Sequence, residues 1–403
     1  MRILFISHYD NLYGANRALL SLMLGLKRQG RHEPLLVIPA EGEMTRQLAE
    51  AGIEYYVCGV TQWQAIYREP VSFTLKKHKR VKQIEAELAD LYEHFKGKNI
   101  DLIHSNSSVT GHGAMLAEKL GCRHVWHIRE FAREHYGMRY FYPQDVVDKY
   151  YNAADRLVLI SDALKEHYDK LYPQAKTVRI YDGVDASRDN TAGNTGCDDA
   201  AVDKSCGDAS GKVNARKNES DKSPCIFIYT GYLFPKKRQL DVLKAAAELK
   251  KEGVSGFKVI LAGNGDVAYS KKLEDFITAN DLKEAELKGF VEDVPGLLKS
   301  CDVGVIASEY EGFGLVTVEY MLNSMPVIGY KSGATPEIVE DGVSGILYED
   351  IEGLKNAMKK LMADTALRRD MGAKGCVRAR ECFTAGANVK VVSALFDEME
   401  NER

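Results

Sequence analysis

The sequence predicts an α/β protein made of two doubly wound domains, each built on a parallel sheet. Three observations lead to this prediction. The chain has 403 residues, which is long for one ordinary core and suits two domains. Short apolar runs alternate with amphipathic segments along both halves, as is typical of parallel strands joined by helical crossovers. A polar segment, residues 187–224, separates the two halves.

In the first half, the apolar runs predict strands and the segments between them predict helices. Strands are predicted over residues 3–7, 35–39, 102–104, 125–128, 157–160 and 178–181. Helices are predicted over residues 16–29, 44–51, 83–95, 113–120 and 163–171. Right-handed crossovers between such strands give an open, doubly wound sheet. We therefore expect residues 1–186 to form one Rossmann-like domain.

Residues 187–224 contain almost no large apolar side chains and are rich in Ser, Asn, Asp, Gly and Lys. Such a segment buries too little surface to offset the entropy of ordering it, so we expect a flexible, low-complexity linker or insertion.

After this segment the alternation resumes. Strands are predicted over 225–231, 258–262, 286–291, 303–307 and 326–330, and helices over 239–251, 270–280, 294–300 and 315–323. Residues 225–380 should form a second Rossmann-like domain that faces the first across a cleft, where open sheets of this kind bind ligands. Residues 381–403 should form a C-terminal helix that can pack back on the first domain.

The composition excludes several classes of protein. Hydrophobic residues make up 45% of the chain and charged residues 28%, which is the balance of a soluble globular protein and not of a collagenous or wholly disordered one. The net charge of −4 argues against a nucleic-acid binder. The eight cysteines show no metal-ligand spacing. The first residues resemble a strand and not a signal peptide, so a cytoplasmic location is expected.

The densest chemical signal lies where the predicted strand 303–307 gives way to the predicted helix 315–323. Two glycines, Gly312 and Gly314, permit a ligand to approach the backbone there. The free N–H groups of the helix start favour an anion. Glu311 lies in the loop, and Glu319 lies on the helix among apolar neighbours, where a carboxylate needs a partner. The structural alternative is a capped helix that carries a surface Glu.

The segment EGFGLVTVE, which begins at Glu311 and ends at Glu319, resembles the signature of glycosyltransferase family 4. The resemblance continues in GFVEDV at 289–294, MPVI at 325–328, TPEIV at 335–339 and DGVSG at 341–345, and it covers most of residues 225–348. It implies the GT-B fold, a retaining mechanism and a nucleotide-sugar donor. It assigns the donor's ribose to Glu319, the donor sugar to Glu311, and donor contacts through backbone groups to Phe313, Gly314 and Leu315.

The same resemblance assigns further donor contacts. Val291 and Glu292 would meet the nucleobase. In GYLFPKK, residues 231–237, Lys237 matches the family's lysine at the donor phosphates, where fixed cations stabilise the departing diphosphate. Tyr232 stands where the family has arginine, so Lys236 or Arg238 is a candidate replacement.

In the first half the resemblance is more local. Gly14 matches the family's glycine-rich loop between the first strand and the first helix, although Ala15 and Asn16 stand where a second glycine and a Glu are usual. His127, at the end of a predicted strand, resembles the family's histidine near the donor sugar. In an unknown fold, a structural histidine is the commoner reading of such a position.

The resemblance implies a retaining hexosyltransferase that acts on a glycan or lipid-linked acceptor in cell-surface polysaccharide or glycoconjugate synthesis. No metal and no cofactor besides the donor are expected. Two alternatives remain open. One is a nucleotide-sugar epimerase of the same fold, and the other is a non-catalytic module that binds a nucleotide sugar, which the departure at Tyr232 favours.

A basic stretch precedes the predicted helix 83–95. It contains Lys76, Lys77, Lys79, Arg80 and Lys82. Its commonest meaning is a solvated helix face. The sharper interpretation is a peripheral contact with the inner, anionic face of a membrane, to which each cation near the surface contributes about 1 kcal/mol.

Overall fold

A computed structural model of the chain describes residues 1–12, 14–66, 70–185 and 223–402. These residues form two α/β domains, each built on a parallel sheet, so the predicted fold class is confirmed. The predicted linker lies outside the described residues except for its last two positions. No helix in the described part of the chain is long and apolar enough to span a bilayer.

The first domain alternates strands and helices as the hydrophobic pattern predicts. Its elements are β1 (Arg2–Ile6), α1 (Gly14–Gln29), β2 (Glu33–Ile38), α2 (Glu43–Glu50), β3 (Tyr55–Val57), β4 (Gln64–Ile66), α3 (Pro70–Phe95), β5 (Leu102–Asn106), α4 (His112–Leu120), β6 (Arg123–Ile128), α5 (Ala132–Tyr136), β7 (Met138–Tyr140), α6 (Gln144–Ala153), β8 (Arg156–Leu159), α7 (Asp162–Leu171) and β9 (Thr177–Arg179). The sheet order is β3-β2-β1-β5-β6-β8-β9, with β4 and β7 paired separately. The central strands are buried along nearly their whole length, as in a sheet covered on both faces.

The second domain repeats this plan. Its elements are β10 (Cys225–Thr230), α8 (Gln239–Lys251), β11 (Phe257–Ala262), α9 (Val267–Ala279), β12 (Ala285–Gly289), α10 (Val294–Lys299), β13 (Val303–Ile306), α11 (Leu315–Leu322), β14 (Val327–Tyr330), α12 (Thr335–Ile338), β15 (Gly345–Tyr348), α13 (Ile351–Ala363), α14 (Thr365–Cys382) and α15 (Ala385–Asn401). The sheet order is β12-β11-β10-β13-β14-β15, and every pairing is parallel.

Several elements were not predicted from the sequence, namely the helices α5, α6, α12, α13 and α14 and the strands β3, β4, β7 and β15. The strands β3, β4 and β7 have three residues each, which is too short for a periodic signal. Helix α3 begins at Pro70, 13 residues before the predicted start at residue 83. The basic stretch is therefore part of this helix and does not precede it. Proline suits the first helical position, because its fixed φ matches the helix and its missing N–H has no acceptor there.

The C-terminal helix α15 packs against α1 of the first domain. Phe396 and Met399 of α15 share a buried cluster with Leu19 and Met23 of α1. The chain re-enters the first domain beside the point where it leaves it, because Val184 N donates to Phe383 O (2.9 Å). The two domains are thus joined at two adjacent crossings.

An aromatic cluster fills the contact between the domains next to these crossings. The ring of Tyr181 lies 5.8 Å from that of Phe313 and 5.2 Å from that of Phe383, and the two phenylalanine rings lie 5.7 Å apart. Both phenylalanines are buried, so this cluster contributes to holding the domains together.

We expect Gly25→Val to destabilise the contact between α1 and α15. A Cβ at Gly25 would lie 2.4 Å from Val389 Cγ2, so the Val389 side chain or helix α15 must shift. Overpacking of this kind costs about 1–3 kcal/mol, which corresponds to a melting temperature lower by several degrees. Gly386→Val is the matched control, because a Cβ at this position in α15 meets nothing within 4 Å. Equal melting temperatures for the two variants would contradict the packing described here.

Candidate active site

The site lies where the strand order of the second sheet reverses. Strands β10 and β13 are neighbours at its centre, with β11 and β12 on one side and β14 and β15 on the other. The loops that follow β10 and β13 leave the same edge of the sheet toward helices on opposite faces, and a crevice opens between them. The loop after β10 carries the two lysines of GYLFPKK, and the loop after β13 carries Glu311.

Lys237 and Glu311 meet in this crevice. Lys237 Nζ lies 2.9 Å from Glu311 Oε2, and the two side chains are 22% and 15% exposed. Lys237 belongs to a single 3₁₀ turn after β10. Its carbonyl accepts a hydrogen bond from the hydroxyl of Tyr229 (3.1 Å), which also contacts Ser308 Oγ. The buried Tyr229 thereby fixes the two loops relative to each other.

The other cations of this segment have different partners. Lys236 Nζ forms an ion pair with Glu309 Oε2 at 2.9 Å, and its ammonium lies 5.1 Å from the centre of the Tyr310 ring. Arg238 pairs with Asp241 (2.7 Å) and stacks on Tyr330. Arg238 is therefore held by the scaffold of the second domain, and Lys236 is held by the loop after β13.

Tyr232 points into solvent with 59% of its surface exposed. Its carbonyl accepts a hydrogen bond from Gln239 Nε2 at 3.0 Å, so its backbone is tied to the first residue of α8.

Helix α11 directs its N-terminus into the crevice. Gly314 adopts φ 96°, a conformation that residues with a Cβ rarely tolerate, and the helix begins at Leu315. The N–H groups of the first turn have no acceptor within the helix, and the helix dipole favours negative charge at this end. The side chain of Phe313 is turned into the aromatic cluster between the domains, so only its backbone faces the loop.

Val291 and Glu292 follow the edge strand β12. Their loop is tied to the centre of the sheet through hydrogen bonds between successive loops, since Gly263 N donates to Gly289 O (2.7 Å) and Leu233 N donates to Asn264 O (2.9 Å). Val291 is half-buried, and Glu292 is exposed. These two residues therefore lie on the same edge of the sheet as Lys237, which follows a strand two places away, and Glu311, which follows a strand three places away.

In the first domain, the loop between β1 and α1 faces this crevice. It also lies where the strand order of its sheet reverses. Gly14 begins α1. The buried Asn16 takes the place of the usual Glu and fastens the loop, because its Nδ2 donates to the carbonyls of Tyr9 and Asn11 (both 2.8 Å). Its Oδ1 accepts from Ser7 Oγ at 2.7 Å.

His127 is fully buried at the end of β6 and does not meet Lys237 or Glu311. Its Nδ1 lies 3.2 Å from His104 Nε2, and its Nε2 lies 3.7 Å from Asp182 Oδ1. Burial, together with the neighbouring Arg129 guanidinium, holds the pKa of His127 well below its ordinary value, so the imidazole is neutral. Arg129 forms a two-point ion pair with Asp182 (2.8 and 3.0 Å).

Several contacts across the cleft join the two domains near these residues, and the sequence predicted none of the following. Arg17 Nη2 on α1 lies 2.7 Å from Glu319 Oε1 on α11. Glu337 accepts hydrogen bonds from the backbone N–H groups of Asp162 and Ala163 at the start of α7, both at 2.7 Å. A Cβ on Gly312 would lie 2.4 Å from the carbonyl of Arg129.

One of these contacts had a signal in the sequence. A basic residue in the first turns of a helix opposes the helix dipole, and Arg17 in α1 is such a residue. Glu337 lies in TPEIV, but its contact is with backbone N–H groups, for which no pairwise pattern exists. Burial raises the pKa of Glu337, while the two N–H donors favour its charged form.

The arrangement suits a ligand that carries negative charge. Lys237, Lys236 and the N-terminus of α11 offer positively charged groups at one end of the crevice, where each lysine is paired with a glutamate. Glu311 and Glu319 supply acceptors for hydroxyl groups. A phosphate group with an attached sugar matches this combination of groups.

Comparisons with known proteins give the family and the fold. The family model described as "Glycosyltransferase Family 4" matches residues 13–188, and the model described as "Glycosyl transferases group 1" matches residues 212–377. An uncharacterized glycosyltransferase of Methanocaldococcus jannaschii is 28% identical over 288 residues, which are 69% of this chain and 70% of that protein. The UDP-Gal:α-D-GlcNAc-diphosphoundecaprenol α-1,3-galactosyltransferase of Escherichia coli is 26% identical over 301 residues, 72% of this chain and 73% of that protein.

Among solved structures, the Anabaena protein HepE in complex with UDP and glucose superposes with a TM-score of 0.73 at 21% identity, covering 99% of this chain and 100% of that chain. This similarity establishes the fold as GT-B. The two family models occupy separate ranges that together span most of the sequence, one in each half. The chain therefore belongs to the GT-B glycosyltransferases of the family 4 type.

Proposed function

We propose that this glycosyltransferase moves a hexosyl group from a nucleoside diphosphate sugar to a glycan or lipid-linked acceptor, with retention of configuration at the transferred carbon. The observation that carries the proposal is the Lys237–Glu311 pair (2.9 Å) beside the N-terminus of α11. A cation, a carboxylate and a helix start at one point match the three parts of such a donor near its scissile bond. In support, HepE has been crystallised with UDP and with UDP-glucose.

The donor is assigned to the second domain. Glu319 takes the ribose hydroxyls, and Val291 and Glu292 take the base. Lys237 and Lys236 take the diphosphate. The backbone at Phe313, Gly314 and Leu315 and the exposed Tyr232 complete the donor contacts, while Gly14 closes on the diphosphate from the first domain. The distances that tie these loops together in one edge of the sheet support this assignment.

In the proposed reaction, the bond between the sugar's anomeric carbon and the diphosphate oxygen breaks while the acceptor oxygen bonds to the same face of that carbon. The acceptor's proton passes to the departing diphosphate oxygen. Lys237 and the N-terminus of α11 stabilise the charge that grows on the diphosphate, so we expect transfer without a metal ion. Glu311, released from its pair with Lys237 when the phosphate arrives, binds hydroxyls of the donor sugar.

His127 is proposed to contact the donor sugar from the first domain. Its imidazole is enclosed in the state described here, so this role requires movement of the residues around it. A neutral imidazole can donate one hydrogen bond and accept another, which suits a sugar hydroxyl.

We further propose an acceptor at a membrane surface, in the synthesis of a cell-surface polysaccharide or glycoconjugate. Lys76, Lys79, Arg80 and Lys82 are exposed on α3 of the first domain. In support, the name of the E. coli relative describes transfer to a sugar on diphosphoundecaprenol, which is a lipid-linked acceptor.

Substitutions of Glu319 and Lys237 should change different kinetic constants. The assay measures UDP release from UDP-glucose with water as the acceptor. The ribose carries the same charge throughout transfer, so Glu319→Ala should mainly raise KM, by roughly tenfold to a hundredfold. The charge on the diphosphate grows in the transition state, so Lys237→Ala should also lower kcat.

Lys331→Ala is the matched control for these kinetics, because Lys331 also pairs with a glutamate (Glu349, 2.7 Å) in the second domain but lies outside the proposed site. If Lys237→Ala kept full kcat and only its KM rose, the assignment of the diphosphate to Lys237 would be wrong.

Binding to liposomes that contain anionic lipid should depend on the basic face of α3. Replacing Lys76, Lys79 and Arg80 by Gln should weaken binding roughly a hundredfold at low salt, because each cation contributes about 1 kcal/mol. High salt should abolish the difference between variant and parent. The matched control replaces Lys271, Lys272 and Lys283 by Gln. These lysines are exposed on the second domain, so the control removes the same charge from a different surface. Equal loss in both variants would argue for a nonspecific effect of net charge.

A further inference from the structure

The ion pair between Arg17 and Glu319 joins the two domains directly across the cleft. Arg17 Nη2 lies 2.7 Å from Glu319 Oε1, and the side chains are 39% and 17% exposed. The two residues are 302 positions apart, one on α1 of the first domain and the other on α11 of the second. This contact therefore exists only while the domains are close together.

Arg17 occupies an unfavourable place unless Glu319 accompanies it. It is the fourth residue of α1, whose first turn contains no acidic residue. The positive end of the helix dipole repels a cation there. The carboxylate of Glu319 offsets this repulsion while the domains are close together. When the domains separate, the repulsion between Arg17 and the helix dipole is no longer offset.

The ion pair occupies an atom that the donor would use. Glu319 Oε1 already lies 2.7 Å from Arg17 Nη2, and the Glu319 side chain is only 17% exposed. Because the proposed function assigns the ribose hydroxyls to this carboxylate, a nucleoside competes with Arg17 for it.

We propose that Arg17 is a latch: in the protein without donor it holds Glu319 and keeps the cleft closed, and a nucleoside diphosphate must displace it to bind. The proposal rests on the proposed function, in which Glu319 binds the ribose. Arg17 is a positioning residue, because it acts on the nucleotide through Glu319 and through the separation of the domains. The apparent affinity for nucleotide is lowered by the fraction of molecules that the latch holds closed.

The test is calorimetric titration of UDP into Arg17→Gln. Removing the latch should tighten UDP binding by about fivefold, the factor expected for a partly exposed ion pair. Arg31→Gln is the matched control, since Arg31 forms an ion pair of similar length with Asp397 (2.8 Å) that does not cross the cleft. The affinity of the Arg31→Gln protein for UDP should equal that of the parent. Unchanged or weaker UDP binding by Arg17→Gln would overturn the proposal.

A double-mutant cycle tests whether Arg17 acts through Glu319. In a Glu319→Ala background, the further change Arg17→Gln should leave UDP affinity unaltered, because the carboxylate that Arg17 holds is gone. A fivefold gain that persists in this background would assign the effect of Arg17 to something other than the latch.

X-ray scattering of the protein without ligand separates failure of the latch from failure of the proposed function. Arg17→Gln should have a larger radius of gyration than the parent and Arg31→Gln. If the parent binds none of UDP, GDP and ADP, the proposed function fails, and the scattering result alone decides the latch. Equal radii in all three proteins would then overturn it.

Discussion

The adjacency of β10 and β13 is the constraint on which the candidate site depends. The strand order of the second sheet reverses between β10 and β13. The loops after these two strands therefore lead to helices on opposite faces of the sheet, and no crossover helix covers the crevice between them. The loops after these two strands meet there, which brings Lys237 to within 2.9 Å of Glu311. The buried hydroxyl of Tyr229 then holds both loops. The first domain repeats the arrangement with β1 and β5, where Asn106 Nδ2 lies 3.4 Å from Asn16 Oδ1.

The contacts between the domains have two different characters. The aromatic cluster of Tyr181, Phe313 and Phe383 and the docking of α15 on α1 are apolar and lie beside the chain crossings. Farther into the cleft, polar contacts of Arg17 with Glu319 and of Glu337 with the start of α7 join the domains, beside one aromatic contact between Phe131 and Tyr310 (6.1 Å between ring centres). An apolar joint with polar contacts in the cleft suits a hinge, because partly exposed ion pairs and hydrogen bonds exchange with water at little cost while buried apolar contacts do not.

The sequence was sufficient for the fold because the hydrophobic pattern, strand by strand, is a local property. Most of the longer strands followed from it. The crevice residues lie in the loops after β10 and β13, and their roles came from the motifs that resemble the family. Features that depend on tertiary context did not. The early start of α3 lay in a basic segment without apolar periodicity. The pairing of Arg17 with Glu319 joins residues from opposite domains, and the complete burial of His127 depends on neighbours contributed by β5 and by the segment at Asp182.

The substitution of Tyr232 for the family's arginine also illustrates this limit. The sequence offered Lys236 and Arg238 as replacements on equal terms. Both side chains are held in ion pairs, Arg238 with Asp241 beside Tyr330 and Lys236 with Glu309 in the loop after β13. These partners depend on side-chain direction, which composition does not encode.

The most direct test of the central claim is a crystal structure of the protein with UDP. The account predicts the diphosphate at the N-terminus of α11, within hydrogen-bond distance of Lys237 Nζ, with the ribose at Glu319 and the uracil beside Val291. UDP bound away from the crevice between β10 and β13, or bound there with Lys237 still paired to Glu311, would contradict it.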